Sequence, residues 1–334
     1  MTREEMEIVA QSSVCLKNIK PKPVEWLWYP YIPQGKLTIM QGDPGEGKTT
    51  LALHLAACIT RGLMPGCAER DLPGMVMLQS AEDGMEDTIV PRLLQADADC
   101  SRIRTIPETC QALTLTDDIL AKNLELYTPE LLIIDPLQAY LGASVDMHRA
   151  NEVRPVMSHL AALAEHYGTA ILLIGHMNKM SGQKALYKGL GSIDITAAAR
   201  SVLLVAKHPK DSDTLCMGQI KSSLAPMGPV VGFERTETGT LHYLGEQDIE
   251  AHRLLESGCG SRPREKATEF VQAYLADGRK PVKEVEEAAR AQGISCATLK
   301  RALGSLGIER IREGYHYYLA LPAPTEEIPL DDCF

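Results

Sequence analysis

Eight consecutive residues, Gly42-Asp43-Pro44-Gly45-Glu46-Gly47-Lys48-Thr49, fit the pattern GxxxxGK[ST] and carry the plainest chemistry of the chain. Glycines in such a loop let the backbone turn successive N–H groups inward around an anion, and a helix starting at Lys48 adds about half a positive charge from its dipole. Lys48 then reaches the outer phosphates of a nucleotide and Thr49 offers a hydroxyl to magnesium, with Thr50 next on the same turn. A glycine-rich turn with an incidental lysine is the bland alternative. The order of apolar run (37–40), loop and helical stretch (48–62) argues against it.

Magnesium needs a second holder, and ELLIID (130–135) delivers Asp135 at the end of an apolar run, where doubly wound sheets bind their ligands. A strand-terminating aspartate with no ligand is the other reading. Pro136 follows, at the place where several classes of nucleotide hydrolase carry a glutamate that orients the attacking water. A general base must therefore come from another strand end. Glu82 in SAEDG, after GMVMLQ (74–79), is the candidate, on the condition that the strands at 37–40 and 74–79 are neighbours. Glu82 and Asp83 as caps of a helix near 84 are the competing reading. His176 and Asn178, after TAILLIG (169–175), supply a third terminus from which a side chain can sense the last phosphate. A merely packed or solvated His176 is the alternative.

Gathering these termini requires a sheet whose strands end along one edge. Apolar runs at 37–40, 74–79, 130–135, 169–175 and 200–206 alternate with helical stretches near 48–62, 84–95, 117–126 and 150–167. Strands hydrophobic on both faces imply a mostly parallel, twisted α/β sheet flanked by helices. Two further strands near 215–221 and 230–234 extend it antiparallel. Residues 1–35, with four prolines around Trp26, Trp28, Tyr29 and Tyr31, form a lead-in packed on the domain 36–244. A linker at 245–263 precedes a small α+β unit at 264–321. There Ala267, Phe270, Val271, Tyr274 and Leu275 share one helical stripe, two more helices lie near 281–291 and 295–305, and a terminal hairpin folds around Glu313 and Gly314. Three helices and a hairpin are the pattern of a winged helix. Residues 322–334 form an acidic tail.

The bulk properties bound what this assembly can be. A length of 334 residues suggests roughly two domains. Apolar residues at 45% and charged residues at 23% exclude a disordered chain, and no apolar run approaches the roughly 20 residues of a membrane span. The opening MTREEMEIVA lacks a basic and then apolar leader, which points to the cytoplasm. Nine cysteines without a CxxC pair read as free buried thiols. A net charge of −10 excludes a uniformly basic coat while leaving room for a local basic channel.

Phosphate loop, Glu82, Asp135 without a following glutamate, and His176 together resemble the RecA-like ATPase class. SAEDGMEDTIVPRL (80–93), DMHRANEVRPVM (146–157) and KALYKGLGSIDITAAARSVLLV (184–205) resemble, more narrowly, the RepA-type ATPases of plasmids and mobile elements, a branch of the hexameric replicative helicases. The likeness runs from about 24 to 240. It implies ATP and Mg2+ as cofactors, Lys48 and Thr49 as ligands to nucleotide and metal, Glu82 as catalytic carboxylate, Asp135 as the Walker B acid, His176 as sensor and Arg92 against the adenine. It also implies a site completed by a neighbouring subunit, with Arg200 at the finger position; an ordinary surface ion pair is the other reading of Arg200. One departure stands out. The Lys-x-Arg pair of DnaB-type helicases reads Lys221-Ser222-Ser223, which keeps a lysine as a trans candidate and lacks the arginine.

The stretch between His176 and Ile193 holds Lys179, Lys184, Tyr187 and Lys188 and no acid. Six copies in a ring would line a channel for a single strand, with Tyr187 available for stacking and His148 and Arg149 nearby. A solvated surface loop is the alternative. Residues 262–320 carry 11 Lys and Arg against 8 Asp and Glu, a net of +3, and Lys300, Arg301, Arg310 and Arg312 lie on the third helix and hairpin. DNA contact and docking of replication proteins both suit such a unit. The expectation is thus an ATP-hydrolysing, DNA-dependent motor, a ring-forming replicative helicase of a plasmid, phage or mobile element. Its class-distinct alternative is an ATP-switched, DNA-binding regulator or loader without unwinding activity.

Overall fold

The computed structural model describes residues 2, 6, 13–66, 72–107, 113–143, 145–147, 149–176, 193–209, 211–257, 263–276, 278–313 and 316–321. Two compact units divide the chain, Met1–Leu255 and Glu256–Phe334.

The first unit opens with a short antiparallel ribbon, β1 (Trp26–Trp28) and β2 (Ile32–Pro33). Next come β3 (Leu37–Gly42), α1 (Lys48–Thr60), β4 (Val76–Ser80) and a π-helical turn (Met85–Ile89) that runs into α2 (Val90–Gln95). The alternation continues through β5 (Ile103–Arg104), α3 (Asp118–Tyr127), β6 (Leu131–Asp135), α4 (Ala150–Tyr167), β7 (Ala170–His176) and α5 (Ile193–Ala198). It closes on β8 (Ser201–His208), β9 (Asp211–Ser222), β10 (Val230–Arg235), β11 (Leu241–Gln247) and α6 (Ala251–Ser257). The strands form one nine-stranded sheet in the order β11-β10-β9-β8-β3-β7-β6-β4-β5. From β8 to β5 the neighbours are parallel, and β9, β10 and β11 are added antiparallel.

Burial on both faces explains the unbroken apolar strands. Met40, Leu78, Ile133 and Leu172 face α1 and α2, while Ile39, Leu132, Ile134 and Leu173 face α3, α4 and α5. Helix α1 is buried on nearly every side, from Leu51 through Thr60, and therefore shows no amphipathic stripe. The end of the lead-in packs on the domain through its aromatic residues. Trp28 and Tyr31 are buried, the Tyr31 hydroxyl donates to the Pro229 carbonyl at 2.8 Å, and Trp28 packs on Phe233 of β10.

Three expectations need correction. Strands β3 and β4 are not neighbours, because β7 and β6 lie between them. The sheet also runs beyond 244, through β11 to Gln247, and α6 occupies part of the segment read as linker. Among the described cysteines Cys15 and Cys296 are exposed, whereas Cys58 and Cys216 are buried.

The second unit holds α7 (Pro263–Leu275), β12 (Lys280–Pro281), α8 (Val282–Ala291), α9 (Cys296–Ser305), β13 (Glu309–Glu313) and β14 (His316–Ala320). Its sheet, ordered β12-β14-β13, adds one short strand to the expected hairpin. Phe270, Val271, Leu275, Val285, Leu299 and Leu319 form its core, and Ser295 caps α9 by accepting from the Thr298 N–H at 3.2 Å. Arg310 and Arg312 lie over the ring of Tyr317, at 4.4 and 5.9 Å from its centroid. Among the described residues no helix is long and apolar enough to cross a membrane.

Candidate functional site

The loop at Gly42–Gly47 leaves the carboxyl end of β3, at the middle of the sheet, and enters α1. Gly42 has no room for a side chain, since a Cβ there would fall on the backbone carbonyl of Val205 in β8. Gly45 and Gly47 take φ of +80° and +91°, the left-handed region in which glycine is unstrained. The Glu46 carboxylate accepts from the Lys207 N–H at 2.7 Å, which ties the loop to the end of β8. Replacing Gly42 by alanine therefore pushes β3 off a carbonyl that cannot rotate away. We expect a loss of about 1–3 kcal/mol in stability with weaker ATP binding, read by denaturant unfolding and calorimetry.

Lys48 opens α1 and is 4% exposed. Its ammonium donates to the carbonyls of Gly42 and Asp43, both at 2.9 Å. Burial holds its pKa below the usual lysine value, opposed by the carboxylates of Asp135, Asp43, Glu46 and Glu82. The Thr49 hydroxyl donates to Asp135 Oδ2 at 2.6 Å, and Asp135 is buried. A buried ammonium, a hydroxyl and carboxylate in contact, and the free N–H groups of a helix start make a donor set that fits a magnesium-bound triphosphate. Asp43, Pro44 and Glu46 complete the loop, and Thr50 follows on the first turn of α1.

Two other strand ends reach this edge. Ser80 of β4 is in register with Asp135, and the Ala81 N–H donates to the Asp135 carbonyl at 3.0 Å. The turn carrying Glu82 is thereby held against β6, and the exposed Glu82 acts electrostatically on Lys48 although two strands separate β4 from β3. The N-cap of the following helical segment is Gly84, one residue past Asp83. Asp83 pairs with Arg92 at 3.0 Å. His176, the last residue of β7, is in register with Gly42.

Arg200 lies at the opposite edge. Its N–H donates to the Leu37 carbonyl at 2.9 Å, beside the first residue of β3, and the phosphate loop follows the last. A strand of that length separates the two by about 17 Å at roughly 3.3 Å per residue. Arg200 is exposed there and cannot serve the loop of its own chain. Lys221 sits beside it but is already engaged. Its ammonium donates to the carbonyls of Thr196, Ala197 and Ala199 at 2.8, 3.2 and 2.8 Å, closing the end of α5.

Arg92 is exposed on α2 and lines a pocket that begins at Thr50 and runs along α1. Arg235 of β10 lines the same pocket, and no motif in the sequence singles it out. Its one sequence signal is its place two residues after Phe233, on the same face of a strand. Lys179, Lys184, Tyr187 and Lys188, with Asn178 and His148, lie outside the described residues. Arg149 pairs with Asp146 and Glu152, and Lys300 and Arg301 are exposed on α9.

Residues 2–182 match the family model described as an AAA domain. The chain is 26% identical over 165 residues to the DNA repair protein RadA of Halalkalibacterium halodurans, covering 48% of this chain and 32% of that protein. RadA of Synechocystis is 30% identical over 165 residues, covering 46% and 31%, and RadA of Streptococcus pneumoniae is 26% identical over 147 residues, covering 43% and 31%. The chain thus spans about a third of the length of these relatives.

Proposed function

The chain belongs to the AAA domain family, and on that premise we propose that this ATP-hydrolysing enzyme of RecA-like α/β fold works as a DNA-dependent motor ring, a replicative helicase of the RepA type. The observation that carries the proposal is the separation of Arg200 from the cradle of its own chain. A cation at the far edge of the sheet suits a site that two subunits share, and head-to-tail contacts of this kind form a ring where the rotation between copies closes and a helical filament where it does not.

In this reading Lys48 exchanges its two loop carbonyls for phosphate oxygens. Glu82 takes the proton of the attacking water, and Arg200 of one copy meets the charge developing in the next. Thr49 and Asp135 would hold magnesium, which when bound would supply charge neutralisation. His176 reports the state of the last phosphate to the stretch that follows it. Lys179, Lys184, Tyr187 and Lys188 follow a single DNA strand, and Lys300 and Arg301 of a winged-helix-like unit give a second contact with DNA or a replication protein.

The test is hydrolysis and mass measurement with ATP, with and without single-stranded DNA. Stimulated turnover by ring-sized assemblies is expected, and monomers indifferent to DNA would defeat the proposal. Lys184→Ala combined with Lys188→Ala should weaken single-strand binding and flatten its salt dependence, by about 0.7 in the log–log slope for each phosphate left without its cation. An unchanged slope removes that stretch from the DNA path. The engagement of Lys221 favours a second reading, a nucleotide-switched loader without DnaB-like coupling. Strand separation by the ring decides between them.

A further inference from the structure

The terminal phosphates and the metal belong to Lys48, Thr49 and Asp135, at one side of the start of α1. The rest of a nucleotide must leave this corner over the next helical position, Thr50. There a pocket opens, lined by His54 of α1, by Arg92 and Gln95 of α2, and by Arg235 and Thr240 of the β10–β11 hairpin.

The Arg235 wall is built, not incidental. Phe233 of β10 is fully buried and sets its ring edge-on to His54 of α1 at 5.8 Å and to Tyr243 of β11 at 5.4 Å. Two residues on, Arg235 leaves the same face of the strand and comes to lie over the phosphate loop, its guanidinium 3.3 Å from where a Cβ on Gly47 would stand. The β10–β11 turn is pinned by the Thr236 N–H donating to the Thr240 carbonyl at 2.9 Å and by their hydroxyls at 2.7 Å. Across the pocket, Asp83 holds Arg92 at 3.0 Å. Burial, then the nearby Arg61 and His242, pull the His54 pKa down to about 4, so the pocket takes its positive charge from the two arginines.

We propose that Arg235 is a further nucleotide-binding residue, a planar cation that stacks on the purine base opposite Arg92 and makes the pocket select a base-bearing polyphosphate over polyphosphate alone. Guanidinium groups are flat and weakly hydrated, and they lie on aromatic faces in a way an ammonium does not. The inference rests on the reading of this site as an ATP site.

The experiment compares affinities of the full chain, Arg235→Ala and Arg235→Lys for ATP, ADP and inorganic tripolyphosphate. Arg235→Ala should weaken ATP and ADP about tenfold and change tripolyphosphate by less than about twofold. Arg235→Lys, which keeps the charge and loses the plane, should track the alanine variant, and it decides the matter alone if the alanine variant fails to fold. Unchanged ATP affinity in both variants overturns the proposal. So does an equal loss for tripolyphosphate, which would mean a phosphate contact, or full recovery by lysine. A parent protein that binds neither ATP nor tripolyphosphate would sink the reading of the site itself.

Discussion

Arg200→Ala lowers the rate of ATP hydrolysis at saturating ATP by about 10³- to 10⁵-fold and leaves ATP affinity nearly unchanged. The argument is geometric. Arg200 precedes β8, at the edge of the sheet where β3 begins, and the phosphate loop leaves the edge where β3 ends. Within one chain the guanidinium and the cradle cannot meet, so an effect of this size requires a second copy. Subunits carrying Arg200→Ala should therefore recover activity when mixed with subunits carrying Lys48→Ala, because some interfaces then join an intact cradle to an intact arginine. Mixed assemblies of confirmed composition that stay inactive would count against the trans role. A fall of threefold or less would assign Arg200 to an exposed ion pair, worth under about 1 kcal/mol.

The second large effect belongs to Glu82→Gln. Substitution of a general base typically costs about 10²–10⁴ in rate, and glutamine keeps the size while losing the proton acceptor. Binding of ATP should persist, since Lys48, Thr49 and Asp135 remain, and pre-steady-state measurement should show bound ATP accumulating uncleaved. Asp83→Asn serves as the contrast. Asp83 pairs with Arg92, which lines the pocket, so its loss should raise KM more than it lowers kcat. Equal behaviour of the two variants would return Glu82 to a surface role.

The phosphate loop and its strand were readable because the information is local. Gly42 to Thr49 is one contiguous pattern, and the runs at 37–40 and 130–135 are buried on both faces, which removes the ambiguity of a half-exposed strand. Thr49 and Asp135, both expected to hold the metal, lie in contact, with the Thr49 hydroxyl donating to Asp135 at 2.6 Å. Sheet order was not readable in the same way. That β7 and β6 separate β3 from β4 depends on crossovers whose ordering leaves no trace in any one strand. Strand β11 was missed because LHYLGEQ buries only Leu241 fully and gives a weak period-two signal. The engagement of Lys221 depends on β9 meeting the end of α5, a tertiary event, and Arg235 acquires meaning only once Phe233 has docked β10 on α1.

Strand β8 is eight residues long and pairs on both sides, with β3 and with β9. Near its far end the Val205 carbonyl abuts Gly42 and the Lys207 N–H grips Glu46, while Arg200 stands at its root. Such a strand is a stiff crossbeam. In the proposed ring, a tilt of the cradle on a change of cargo would be carried along this one ribbon to Arg200, and so toward the next copy.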